Sequence, residues 1–272
     1  MSTIALPRFT WRDRAQRLKE LFIETFFMGA AMFSEMPFLD HLEELRNRLI
    51  KCLIALGAGT AIGFAYTAPI MAFLNRPAGG SGIGELVAIE GFEVFSVYFK
   101  VAMATGICLA APVMLWQVWR FIEPALHRHE KRYAAPFIIS TTVCFMAGIA
   151  FGYAVVVPWL LKLEQAMAVA AHIKIGMSSE SYLGMLTTTI VAMGGIFEMP
   201  PVIFILSRIG LVSAGFLIRN FKYALLLFSI AAAALTPSTQ IPPMLFFMAV
   251  MTGIYVISIV VAMVFGRARK AE

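Results

Sequence analysis

Charge is scarce in this chain and cysteine is nearly absent. Only 14% of its 272 residues are Asp, Glu, Lys or Arg, while 60% are hydrophobic. A soluble domain carries roughly a quarter charged residues, so this balance excludes one and points to a polytopic membrane protein. The mean hydropathy of +0.81 agrees. Cys52, Cys108 and Cys144 each lie within or at the edge of an apolar run, which suits small packing residues and not a disulfide framework. There is no Gly-x-x-x-x-Gly-Lys-Ser/Thr loop, so ATP hydrolysis is unsupported. There is no His-Glu-x-x-His either, and His41, His127, His129 and His172 have no partners at metal-ligand spacing. No metal and no other cofactor is therefore expected. Intramembrane hydrolysis needs a facing nucleophile and base, and the apolar runs offer no such pair, so the chain is not expected to be an enzyme. The first thirty residues are Arg-rich and lack a short apolar core with a small-residue cleavage site, so no cleavable signal peptide is expected.

What the chain does have is six apolar runs, at about 51–74, 95–121, 134–161, 182–206, 222–236 and 243–265. Crossing about 30 Å of hydrocarbon takes roughly 20 helical residues, and most of the runs reach that length. The fifth does not: its fifteen residues rise only about 22 Å. It reads either as half of a re-entrant hairpin or as a short span that thins the bilayer. Charge placement decides for a span. Of the 22 Lys and Arg, all but Arg76, Lys100, Lys162 and Lys174 lie before or at the first run, around the second-to-third loop, around the fourth-to-fifth loop, or in the tail. The positive-inside rule then gives six crossings with both termini in the cytoplasm. Prolines at 112, 136, 158, 200, 201, 242 and 243 are expected to kink the spans. Gly59-x-x-x-Gly63 and Gly148-x-x-x-Gly152 permit close helix packing.

The organisation reads as a basic extension over 1–36, a six-helix membrane domain over 37–266 and a basic cytoplasmic tail over 267–272. The extension suits either a helix lying on anionic lipid or a loosely ordered arm. After it comes Pro37-Phe-Leu-Asp-His-Leu-Glu-Glu-Leu-Arg-Asn-Arg-Leu49, where Phe38, Leu42, Leu45 and Leu49 form one helical stripe. Asp40 and Glu43 read as a capping box that starts this helix. Its polar face carries Glu44 with Arg46 and Arg48, and a second acid, Glu130, sits among Arg128, Lys131 and Arg132 in the second-to-third loop. Each acid alone would be a local ion-pair partner; together, on one membrane face, they could clamp a pair of guanidinium groups. Lys100, near the outer end of the second run, reads as snorkelling to the interface.

Of the sixteen acids, only Glu198 falls deep within a span. Ten residues separate it from Arg208, about 15 Å along the axis, which puts it near mid-bilayer. An ionisable group there is costly and is a functional candidate by default. The structural alternative is a Glu bonded to backbone carbonyls freed by Pro200 and Pro201.

Several of these stretches together resemble one family. Phe38-Leu-Asp-His-Leu-Glu-Glu-Leu-Arg46 is similar to the N-terminal signature of TatC, the core subunit of the twin-arginine protein translocase. Ala111-Pro-Val-Met-Leu-Trp-Gln-Val-Trp-Arg-Phe-Ile-Glu-Pro-Ala-Leu126, His129-Glu-Lys-Arg132, Phe197-Glu-Met-Pro200 and Leu235-Thr-Pro237 follow in family order, covering about residues 36–266. The resemblance implies an all-α integral membrane protein: a cupped bundle of kinked helices, with short helices 5 and 6 and both termini inside. It implies a receptor for twin-arginine signal peptides, in which Glu44 and Glu130 recognise the arginines and Arg46 and Phe121 belong to the same face. Glu198 matches the family's intramembrane acid. Also implied are docking of TatB-like and TatA-like single-span subunits, self-association in a multimeric complex, contact with membrane lipid, no nucleic acid, and export of folded proteins across the bacterial cytoplasmic (inner) membrane driven by the proton-motive force. The chain departs from the pattern at the external hairpin, where Thr236-Pro-Ser-Thr239 replaces Thr-Pro-x-Asp, so that Thr236, Pro237 and Thr239 are the docking candidates there. The acid usual in the sixth span is also missing, and Met251-Thr-Gly-Ile-Tyr255 stands in that region. The rival reading is a proton- or ion-coupled solute transporter using Glu198, but such transporters show symmetric broken segments in two halves, and this sequence does not.

Overall fold

The structure, a computed structural model, describes residues 37–79, 91–122, 134–172, 176–208, 210–236 and 240–265. Its regular elements are helices: α1 (Pro37–Ala65), α2 (Thr67–Leu74), α3 (Glu93–Ile122), α4 (Ala134–Phe151), α5 (Val157–Ala170), α6 (Ser179–Ile196), α7 (Met199–Arg208), α8 (Ala214–Arg219), α9 (Phe221–Leu235) and α10 (Ile241–Phe265). One further helical turn spans Arg76–Gly79, and a π-helical stretch, Gly152–Val156, joins α4 to α5. Among the described residues, five helical stretches are long and apolar enough to cross a membrane: Leu42–Ala65, Glu93–Phe121, Phe137–Ala170, Ser179–Arg208 and Ile241–Phe265. Phe221–Leu235 is apolar but shorter.

Several boundaries correct the sequence expectations. The described part of α1 already includes Pro37 to Leu39. Asp40 is therefore inside the helix, and the Asp40–Glu43 capping box does not start it. The first apolar run is not continuous, because the chain breaks at Tyr66 before α2. The third span runs on to Ala170, well beyond the expected end at 161, and takes up much of the loop expected there. The last helix is not short: its 25 residues rise about 37 Å. The shortness expected of helices 5 and 6 holds for α9 alone.

The prolines meet the expectation of mid-span kinks in part. Pro242 and Pro243 lie in the first turn of α10, where no intrahelical donor is required, while Pro200 and Pro201 interrupt the Ser179–Arg208 span between α6 and α7. Pro112 is interior to α3, which continues through it. Pro158 offers no N–H to the Ala154 carbonyl, and just before it the helix widens to the π form, with the Val157 N–H donating to the Gly152 carbonyl.

The chain divides into two compact units, Met1–Asn47 and Arg48–Glu272. In the described part of the first, Leu42 and Leu45 are exposed on their helix. In the second, the described residues form three buried clusters, the smallest joining Trp119, Phe137 and Ile205. One joins α6, α7, α9 and α10 through Met193, Ile203, Phe228, Phe247 and Met251, with the Tyr255 hydroxyl donating to the Leu217 carbonyl at 3.0 Å. Another joins α2, α3, α5 and α6 through Leu74, Val97, Leu161 and Leu186, where the buried Tyr182 hydroxyl donates to the Leu74 carbonyl at 2.8 Å. Glycines allow the closest crossings, as the small-xxx-small spacing predicts. A Cβ on Gly59 would lie 2.8 Å from the Gly106 carbonyl oxygen, and one on Gly63 2.6 Å from that of Ala102, so α1 meets α3 backbone to backbone. Gly148 meets the Met193 backbone of α6 in the same way.

Candidate functional site

The intramembrane acid sits where a helix must stop. Pro200 and Pro201 withhold N–H groups from the carbonyls of Ile196 and Phe197, so α6 ends at Ile196 and α7 restarts at Met199. Glu198 lies in the break, and its backbone is satisfied: its N–H donates to the Gly195 carbonyl at 3.2 Å, and its own carbonyl accepts from Val202 at 3.1 Å. Its side chain is not satisfied. Both carboxyl oxygens are buried without a hydrogen-bond partner among the described residues. The expected structural alternative, a carboxyl bonded to the freed carbonyls, is thus not what the structure contains. The Phe151 ring packs on Phe197 beside the break, with centroids 5.4 Å apart.

The membrane-face residues fare differently. Glu44 is half-buried and Arg46 exposed on α1, and neither Glu44 nor Arg48 is without a partner. Phe121 is half-buried at the end of α3 and also makes a contact of its own. Glu130, the other acid of the expected clamp, lies outside the described residues. At the end of α9, Thr236 is buried and its hydroxyl donates to the Ala232 carbonyl. Pro237 and Thr239 lie outside the described residues.

A polar cluster went unnoticed in the sequence. Lys100 does not simply snorkel: its ammonium pairs with the Glu180 carboxylate at 2.5 Å, and Ser96 donates to the same oxygen at 2.8 Å. Glu93, almost fully buried, accepts the Glu180 backbone N–H at 2.8 Å, while Ser178 accepts that of Ser181 at 3.1 Å. Together they cap α6 and tie it to α3. The signal was available, since Glu93, Ser96 and Lys100 recur at three- and four-residue spacing on one face of a helix. Below this cluster, a concavity of about 450 Å³ opens between α3 and α6, lined by Lys100, Met103, Gly184, Thr187 and Val191, with Leu235 of α9 at its side.

Long apolar helices, one of them broken around a buried acid, define a multi-span membrane protein. The comparisons narrow this. Residues 40–250 match the family model described as Sec-independent protein translocase protein (TatC), and the chain belongs to that family. The Sec-independent protein translocase protein TatC of Desulforapulum autotrophicum is 35% identical over 238 residues, covering 87% of each chain. That of Koribacter versatilis is 37% identical over 232 residues, covering 84% of this chain and 85% of its own. A crystal structure of the twin arginine translocase receptor TatC superposes with a TM-score of 0.77 at 31% identity, covering 84% of this chain and all of that one. The family is a protein translocase component, and the solute-transporter reading is set aside on these grounds.

Proposed function

We propose that the chain is the twin-arginine signal-peptide receptor and core subunit of a translocase that exports folded proteins, driven by the proton-motive force. The observation that carries this reading is the likeness to a solved twin arginine translocase receptor across that receptor's full length, at 31% identity. Glu44 and Glu130 are the arginine-binding acids, with Arg46 and Phe121 on the same cytoplasmic face. Glu198 is the acid that responds to the inserted signal or to protons. The chain crosses the bacterial cytoplasmic membrane six times over 37–266, with the 1–36 extension and the 267–272 tail inside. Single-span subunits of the TatB and TatA kind dock along its flank, and the region around Thr236, Pro237 and Thr239 contributes to their seating.

The test is site-specific photocrosslinking from positions 44 and 130 to a twin-arginine signal peptide, with intact or Lys-substituted arginines. Glu44→Ala or Glu130→Ala should each weaken binding roughly tenfold or more, the size of one lost charge-assisted contact. Lys substitution in the peptide should do the same, because ammonium cannot bind a carboxylate bidentately. If both Ala variants fold and bind as wild type does, the clamp is wrong.

A further inference from the structure

We propose that a small pocket where α5, α6 and the start of α10 meet binds a primary alkylammonium group, with the ammonium on Glu164 and its stem against methionine and leucine. The pocket holds about 160 Å³, and its walls include Leu163 and Glu164 of α5, Met177 just before α6, Ser181 and Met185 of α6, and Gln240 just before α10. Glu164 is half-buried there, yet it makes no hydrogen bond or ion pair with any described residue. The charges close to it in sequence do not serve it. Lys162 is exposed two positions earlier on the same helix, and side chains two apart do not share a face. Glu180, next to Ser181, already holds Lys100 and Ser96.

The donor count says which cation fits. A primary ammonium carries three N–H donors on a flexible aliphatic stem. Three oxygen-bearing side chains line the pocket: the Glu164 carboxylate, the exposed Gln240 carboxamide, and the Ser181 hydroxyl, which accepts one hydrogen bond from Ser178 at 3.0 Å and has a second lone pair. A guanidinium brings five donors, more than these groups match, and a quaternary ammonium brings none. Calcium takes six to eight oxygens, and a single carboxylate does not supply that shell. Leu163 and the two polarizable thioethers suit the methylene stem. The depth also fits. Glu164 stands roughly 40 Å along the third span from Phe137, beyond the ~30 Å of hydrocarbon and so at headgroup level. Two sources bring a primary ammonium to that level: the ethanolamine headgroup of a phospholipid and a free amine in solution. The site rests neither on the receptor role nor on which side of the membrane is cytoplasmic.

The full chain, purified in detergent, is treated with a carbodiimide and a low concentration of either phosphatidylethanolamine or butylamine, and amide adducts are mapped by mass spectrometry. With at least one of the two amines, wild type should couple at Glu164 roughly tenfold more than at the exposed Glu43, the size of one charge-assisted hydrogen bond. Coupling to the lipid alone makes the headgroup the source, coupling to butylamine alone makes it a free amine, and coupling to both means that either enters. Met177→Trp fills the pocket and leaves the carboxylate in place, so it should bring Glu164 down to the level of Glu43. Where the lipid couples, native mass spectrometry should find phosphatidylethanolamine retained roughly tenfold over phosphatidylcholine of the same acyl chains, and Glu164→Gln should equalise the two. Coupling at Glu164 no stronger than at Glu43 with both amines overturns the proposal, and so does coupling that Met177→Trp leaves unchanged. If Met177→Trp fails to fold, the wild-type ratio of Glu164 to Glu43 decides.

Discussion

At the scale of single residues, Glu198 and Glu93 make an instructive pair, because both are acids inside an apolar protein and only one is hydrogen-bonded into it. Glu93 accepts a backbone N–H and holds the start of α6, so Glu93→Leu leaves a buried donor unpaired. It should cost about 1–3 kcal/mol, read as a fall in the thermal midpoint of the purified protein. Glu93→Gln keeps an acceptor and should cost clearly less. Glu198 has no such bond for either oxygen. Replacing an unsatisfied polar group with an apolar one of similar size removes a penalty and breaks nothing. Glu198→Leu should therefore leave the thermal midpoint unchanged or raise it, while export of a twin-arginine reporter falls. A destabilised Glu198→Leu would mean the acid has a structural partner after all. A stable variant with full export would mean it has no role.

At the scale of elements, the close approach of α1 to α3 is the feature most open to test. Gly63→Leu must push the helices apart, because the obstacle is backbone and cannot rotate away. A loss of about 1–3 kcal/mol is expected. Gly57→Ala on the same helix meets nothing within 4 Å and should be neutral or slightly stabilising. If both variants melt together, the α1–α3 crossing is not as described. The run lengths made these helices legible in the sequence, and the Gly59 and Gly63 spacing announced the crossing. Their ends were less legible. A capping box is a local signal, and Asp40 carries it although Pro37 to Leu39 are already helical. The extension of α5 to Ala170 carries Lys162 and Glu164, charges that composition assigns to a loop. At Glu198 the sequence supplied the acid and both prolines, yet not where the carboxyl would point. That depends on tertiary packing, such as the Phe151 ring of α4 against Phe197 beside the break. α9 was legible as short, and at about 22 Å it is less than the hydrocarbon thickness. Accessibility labelling along Leu225–Leu235 should find the outermost positions reached by water-soluble reagents, in a locally thinned bilayer. Full protection along that stretch would rule this out.

At the scale of the whole molecule, the long spans and the short α9 give an even number of crossings only if α9 traverses the bilayer. The proposed sixth crossing rests on the charge distribution: Arg208, Arg219 and Lys222 lie from the end of α7 to the start of α9, while the residues after Leu235 carry no Lys or Arg until Arg267. A re-entrant α9 would return the start of α10 to the basic side and put the basic tail outside, against the positive-inside rule. Three glycines offer neutral sites for checking this, since a side chain at Gly91, Gly176 or Gly215 meets nothing within 4 Å and all three positions are exposed. With Cys52, Cys108 and Cys144 replaced, Gly91→Cys and Gly176→Cys should react with a membrane-impermeant maleimide in intact cells. Gly215→Cys should react only after the membrane is opened. Reaction of all three in intact cells would cancel the crossing between α6 and α8, and the reverse pattern would invert the orientation. The expected pattern puts α8 on the side where precursor signal peptides are made, the orientation that the proposed receptor role requires.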